Sequence, residues 1–177
     1  MGSVRLYGAT SGYLELKAPD VSPSSELEIP SGGFGKVLQV VRATDSTSRS
    51  TTSTSYVDVT GMTVTITPTK SDSAVLLVAT VRMQTVRTSG VSTAGYIQIT
   101  DASNNAISGT EEALNQVGGD GWVSVGKHVP TVVIGYATPA TTSATTYKMR
   151  FKVLSGTTLT LVNSETTGQM YAIEVAA

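Results

Sequence analysis

Cysteine is absent from the 177 residues, and histidine occurs once, as His128. The first absence excludes disulfide frameworks, thiolate zinc sites and cysteine nucleophiles. Any serine–histidine–aspartate triad or histidine-based metal site would have to use His128, which sits beside Pro130 and reads more naturally as a loop or interface residue than as a catalytic base. We therefore expect no cofactor and no enzymatic activity.

Charge is scarce as well. Charged residues make up 14% of the chain, against roughly 25% in an average domain, and the net charge is −1. Lysine and arginine form no basic stripe, so we expect no nucleic-acid partner. No apolar run approaches the ~18 residues of a membrane span, and the first ten residues lack the apolar stretch of a signal peptide. The sequence thus indicates synthesis in the cytoplasm without membrane attachment.

What the chain does contain is alternation of apolar and polar residues, the pattern of strands with one solvent-facing side. Glycine, proline, asparagine and aspartate separate about ten such runs. Only Glu111–Gln116 offers consecutive helix formers, and it is too short for more than a turn. The clearest alternating runs are 56–59, 62–66, 96–99 and 149–153. The pattern predicts an all-β protein with antiparallel sheets.

One run differs, because residues 74–81 are almost continuously apolar. This predicts a central strand buried on both faces, either inside a sandwich or against a neighbouring subunit. Short strands with glycine- and proline-rich turns favour a jelly-roll β-sandwich, which we assign to residues 36–177. Residues 1–35 contain only very short strands and end in a glycine-rich hinge, so this segment needs the main domain or other copies of itself.

Several motifs allow a second interpretation. Gly32–Lys36 lacks the helix that a phosphate loop requires, which favours the hinge. Asp101–Asn105 supplies oxygen ligands for calcium, but a hairpin turn explains it equally well. The adjacent Glu111 and Glu112 point to opposite sides of an extended chain, unlike the paired carboxylates of a glycosidase. Arg82 and Arg87 fit a subunit contact or a protected sheet edge.

The segments 3–19 and 27–30 resemble part of the fibre and head-surface proteins of marine and cyanobacterial bacteriophages. The resemblance continues through 35–41 and 52–61 and returns in the strands 147–151 and 170–175, whereas 85–139 carries little of it. It implies an N-terminal trimeric attachment piece followed by a trimeric jelly roll of the C1q and tumour-necrosis-factor type. The absence of a tail-adapter domain or coiled-coil shaft ahead of Arg5 favours a capsid decoration protein, head fibre or short spike.

The expected protein is therefore a homotrimer on the virion surface, bound to the major capsid protein or another virion protein. The attachment residues implied are Arg5, Leu6, Tyr7, Tyr13, Leu14 and Leu16, and the subunit-interface candidates are Leu76, Val78 and Phe151.

An alternative is the receptor-binding tip of a tail fibre or spike, which recognises a host surface glycan. Trp122, the only tryptophan, and Asp120 lie in a glycine-rich loop that suits sugar stacking, although Trp122 also suits a role as a loop anchor on the core. The loop at 138–145 is a second candidate. A hydrolase is disfavoured, because neither a β-helix repeat nor a carboxylate pair stands out.

Overall fold

The computed structural model describes residues 3–7, 13–17, 36–87, 92–118, 125–154 and 157–177. The chain divides into two compact units, Met1–Phe34 and Gly35–Ala177. In the first unit, β1 (Ser3–Tyr7) and β2 (Tyr13–Lys17) form an antiparallel pair.

The described part of the second unit consists of strands and their connections. The strands are β3 (Val37–Asp45), β4 (Arg49–Thr51), β5 (Val57–Ile66), β6 (Ala74–Arg87), β7 (Thr93–Asp101), β8 (Ala113–Val117), β9 (Val125–Ala137), β10 (Thr145–Val153), β11 (Thr158–Leu161) and β12 (Gly168–Val175). Within these residues there is no helix long and apolar enough to cross a membrane.

These strands form two antiparallel sheets. The smaller sheet has the order β5-β10-β7-β8. In the larger sheet β3, β12, β6 and β9 lie side by side, and β11 and β4 continue beside the second half of β6. Because the chain crosses repeatedly between the two sheets and the last strand, β12, pairs with β3, the arrangement is a jelly-roll sandwich. The predicted all-β, antiparallel fold is confirmed.

The core lies between the two sheets and follows from the alternation. On β10, Tyr147, Met149 and Phe151 point inward and are at most 4% exposed, while Lys148 and Arg150 between them point outward. Residues Leu77 and Met83 of β6 meet them from the larger sheet and are fully buried. Each such large apolar side chain contributes about 1.5–3 kcal/mol by its removal from water.

Strand β6 is central, as its apolar sequence predicts. It pairs with β12 and β11 along one edge and with β9 along the other. Its two faces differ, however. Val75, Leu77 and Ala79 are buried in the core, whereas Leu76 and Val78 are only half-buried on the opposite side.

Glu111–Gln116, the one stretch of consecutive helix formers, contains no helical turn. Residues Ala113–Val117 form strand β8, paired with β7. Asn115 is 2% exposed, and its side-chain amide donates to the carbonyl of Lys127 on β9, 3.2 Å away. Sheet pairing and this bond across the sandwich outweigh the weak helix propensity of a few residues.

Candidate functional site: the outer face of the larger sheet

The larger sheet turns one side to the core and carries apolar side chains on the other. We call this second surface the outer face. Its apolar members are Val37, Val40, Leu76, Val78, Val132, Ile134, Tyr136, Tyr171 and Ile173.

Strand alternation creates the outer face. On β9, Val133 is 4% exposed in the core, while its neighbours Val132 and Ile134 are 60% and 57% exposed. The same period of two places Ile173 of β12 outward between the buried Ala172 and Glu174. The sequence therefore commits apolar residues to both sides of this sheet.

The strand register joins these residues into continuous rows. Ile173 lies opposite Val40 on one side and Leu76 on the other, and Leu76 lies opposite Tyr136. This row crosses four strands, roughly 14 Å at the usual strand spacing.

A second row runs beside it through Arg42, Tyr171, Val78 and Ile134. Only Arg42 in it is charged, and its guanidinium lies 5.7 Å from the centre of the Tyr171 ring. Contiguous exposed apolar surface of this kind marks a protein contact more often than scattered single residues do.

The opposite end of the outer face is polar. Arg82 forms an ion pair with Glu165 at 2.6 Å. His128 lies on β9, exposed, with its Nε2 atom 2.9 Å from Nε2 of Gln84 on the neighbouring strand. His128 is thus a strand residue rather than a loop residue.

The smaller sheet presents a different outward surface. The carboxylate of Asp58 on β5 accepts hydrogen bonds from Lys148 and Arg150 of β10, both at 2.8 Å. The hydrogen bond from Lys148, followed by that from Arg150, holds the pKa of Asp58 below its ordinary value. Asp58 is half exposed, so these pairs are screened by solvent and contribute little to stability.

Further along this surface, the ammonium of Lys152 lies 4.5 Å from the ring centre of Tyr56 and 4.9 Å from that of Tyr96. It also forms an ion pair with Glu112 at 3.4 Å. Burial, followed by the charge of Glu112, raises the pKa of Tyr56 to about 12. All these charges have partners within the chain, and the surface is polar.

The structure separates the three predicted interface residues. Leu76 and Val78 lie on the outer face, in the first and second rows. Phe151 points into the core and is 4% exposed, so it has no surface to offer a second subunit. Phe151 is therefore not an interface residue, because the alternation of β10 places its side chain on the side of the strand that packs in the core.

Of the predicted attachment segment, the structure describes the strand pairing. The register places Leu6 opposite Leu14 and Tyr7 opposite Tyr13. Arg5 lies on β1 and Leu16 on β2 in the same pair. Trp122 and Asp120, the predicted sugar-binding residues, lie outside the described residues, as does the glycine-rich hinge.

The Asp101–Asn105 segment is a closed turn. The carboxylate oxygens of Asp101 accept hydrogen bonds from the backbone and side-chain amides of Asn105, both at 2.9 Å. Asn104 has a positive φ of 71°. No cluster of three or more acidic or histidine residues suited to a metal ion occurs in the described part of the chain.

Sequence reasoning missed a buried acid, Glu174, which is fully buried on the inner side of β12. Its carboxylate accepts from the backbone amide of Thr69 at 2.7 Å, from the Thr69 hydroxyl at 2.8 Å and from the Gln39 amide at 2.6 Å. Burial by itself would raise the pKa of Glu174, but the hydrogen bonds outweigh it and lower the pKa to about 2. The sequence feature that could have revealed this buried acid is its place in the alternation of β12, where Glu174 falls on the inward-facing side.

No protein-family model matches the sequence, and no curated protein does. Among solved structures, a viral particle of infectious bursal disease virus matches with 13% identity over 94% of this chain and 42% of its own, at a TM-score of 0.37. A mutant VP2 protein of that virus in derived particles matches with 13% identity over 97% and 44%, at 0.33. The chain spans less than half the length of these proteins.

Proposed function

We propose that this chain is a non-enzymatic structural protein on the surface of a bacteriophage particle, where it acts as a homotrimeric capsid decoration or head-fibre protein. The proposal joins two lines of support. The phage resemblance in residues 3–19, 35–41 and 52–61 suggests the setting, and the outer face suggests the assembly.

The outer face carries the proposal. Val40 on β3 and Val132 and Ile134 on β9 are 55–60% exposed, and the half-buried Ile173, Leu76 and Val78 lie between them in the sheet. Covering them and their half-buried neighbours would stabilise an assembly by on the order of 5 kcal/mol for each subunit. The predominance of uncharged residues favours other copies of this chain as the cover, since Arg42 is the only charged residue in the two rows. Around a threefold axis, each outer face would pack against a different surface of the neighbouring copy.

In such a trimer the smaller sheet faces the solvent with its charged and threonine-rich surface. There the carboxylate of Asp58 already accepts hydrogen bonds from Lys148 and Arg150 of the same chain. The β1–β2 pair is too small to be stable in isolation, which suits a segment that becomes fixed on the major capsid protein or another virion protein. The proposed attachment segment contains Arg5, Leu6, Tyr7, Tyr13, Leu14 and Leu16.

Imaging of virus particles tests this role. Particles made with and without the gene product should differ by a threefold-symmetric density on the head. Particles made with a chain that lacks residues 1–35 should lack the same density, while the truncated chain should still assemble in solution. If particles made with and without the gene product show the same surface, the chain is not a virion surface protein.

A tail-fibre or spike tip that recognises a host glycan is a second candidate function. A pocket at one end of the sandwich favours it, and one edge of this pocket is the 138–145 loop.

A further inference from the structure

A pocket of about 400 Å³ opens at the end of the sandwich, within the usual range for small-molecule sites. It lies between the turn that follows β7 and the loop that joins β9 to β10. The residues that line it include Asp101, Ser108, Tyr136, Thr138, Pro139 and Tyr147.

The walls of the pocket are held in place by hydrogen bonds and close packing. The hydroxyl of Thr110 donates to the carbonyl of Ile99 or of Ile107, which lie 2.9 and 2.8 Å away, and fixes the 106–110 loop on β7. This loop also packs on β9 at Gly135, where an added Cβ would overlap the Thr110 side chain. The site is therefore formed before any ligand arrives, which lowers the entropic cost of binding.

One polar group that lines the pocket, the hydroxyl of Tyr147, has no hydrogen-bond partner among the described residues. Tyr147 is 2% exposed. Burial, and then the charge of Asp101, raises the pKa of Tyr147, so its hydroxyl stays protonated and able to donate. A hydroxyl that lines a pocket and has no partner within the chain is an available contact for a ligand.

Other groups around the pocket suit a hydroxyl-rich ligand. Ser108 and Thr138 add exposed hydroxyls, and the Asp101 carboxylate adds strong acceptors. Tyr136 is 55% exposed and lines the pocket, as does Pro139, and its ring gives an apolar surface for the C–H face of a sugar ring. Neither lysine nor arginine is among the described lining residues, and the carboxylate would repel an anion.

We propose that this pocket binds a neutral saccharide unit, with the ring of Tyr136 beneath the sugar and Asp101, Ser108 and Tyr147 bonding its hydroxyls. The proposal deepens the receptor-binding alternative and rests on it. It locates recognition at the 138–145 end of the sandwich rather than at Trp122.

The test is a titration of the intact protein with methyl glycosides of glucose, galactose, mannose and N-acetylglucosamine, followed by ligand-observed NMR. At least one of these neutral glycosides should bind at millimolar concentration. It should bind more tightly than N-acetylneuraminic acid, which is an anionic sugar. Tyr147→Phe should weaken binding about five- to tenfold, as expected for one lost hydrogen bond. Tyr96→Phe, on the smaller sheet away from the pocket, is the matched control.

Should Tyr147→Phe disturb folding, Ser108→Ala removes an exposed hydroxyl and should weaken binding two- to fivefold, roughly the effect of a weaker hydrogen bond. Saccharide binding that survives both changes but is lost in Trp122→Ala would overturn the assignment to this pocket while keeping receptor recognition. Preference for the anionic sugar, or no binding by the unchanged protein, would overturn it as well. The oligomeric mass of the same samples tests the structural role separately.

Discussion

The two sheets of this sandwich are both antiparallel, but they differ in the side chains that they carry on their outward sides. The smaller sheet carries ion pairs around Asp58 and a lysine between two tyrosine rings. The larger sheet carries rows of valine, isoleucine, leucine and tyrosine. The fold needs only the inner sides of the sheets, so the chemistry of each outer side reflects its surroundings. Our proposal rests on this contrast: it places water over the smaller sheet and another copy of the chain over the larger one.

The largest expected effect comes from a charge placed in the apolar rows. Ile134→Asp should abolish assembly and leave the fold intact, because a carboxylate buried at an interface without a partner costs several kcal/mol. Sedimentation velocity measures the assembly, and circular dichroism measures the retained strands.

Thr63→Asp is the matched control, since Thr63 is exposed on the smaller sheet and lies opposite Lys148. It should assemble like the unchanged protein. Equal behaviour of the two variants would remove the distinction between the sheets.

A smaller effect is expected from the inner side of the larger sheet. Glu174→Gln exchanges one acceptor oxygen for a donor that faces Thr69 and Gln39, and should lower the free energy of unfolding by about 2–3 kcal/mol. Thermal unfolding should show a Tm lower by about 5–10 °C with the oligomeric mass unchanged. Glu165→Gln, at an exposed position, should shift Tm by no more than about 2 °C. If Glu174→Gln lowers Tm no more than Glu165→Gln does, the buried carboxylate does not stabilise the fold.

The same carboxylate gives a pH dependence. The pKa of Glu174 is about 2 in the folded chain and 4.5 ordinarily, so its contribution to stability is present above pH 4.5. As pH falls from 4.5 towards 2, that contribution is lost. The Tm difference between the unchanged protein and Glu174→Gln should therefore narrow over this interval, and a constant difference would contradict the low pKa.

The smallest effect is expected on the charged surface. Asp58→Asn breaks two half-exposed ion pairs, each worth less than about 1 kcal/mol, and should leave both Tm and mass nearly unchanged. Thermal scans at low and high salt measure any residual effect. A change in mass would mean that this sheet also contacts another subunit.

The sequence predicted the strands because alternation is local information. Met149–Val153 shows it directly, and the apolar run at 74–81 identified the central strand β6. Phe151 alternates with arginine and lysine, a pattern that already favours the core, whereas its assignment to an interface came from the implied trimer. Strand β8 escaped prediction because its pairing with β7 decides its conformation.

The outer face and the buried acid were harder to foresee for a different reason. Residues 131–137 are apolar on both sides, so the sequence does not say which side faces the core; contact between Gly135 and the 107–110 loop decides it. Glu174 meets Gln39 and Thr69 across separations of 135 and 105 residues. Such partners become visible only when the register of the sheet is known.

The mass of the intact chain in solution tests the central claim most directly. Sedimentation equilibrium should give about three times the 18.3 kDa of one chain, independent of concentration in the micromolar range. A stable, soluble particle of 18.3 kDa would leave the outer face uncovered and contradict the account.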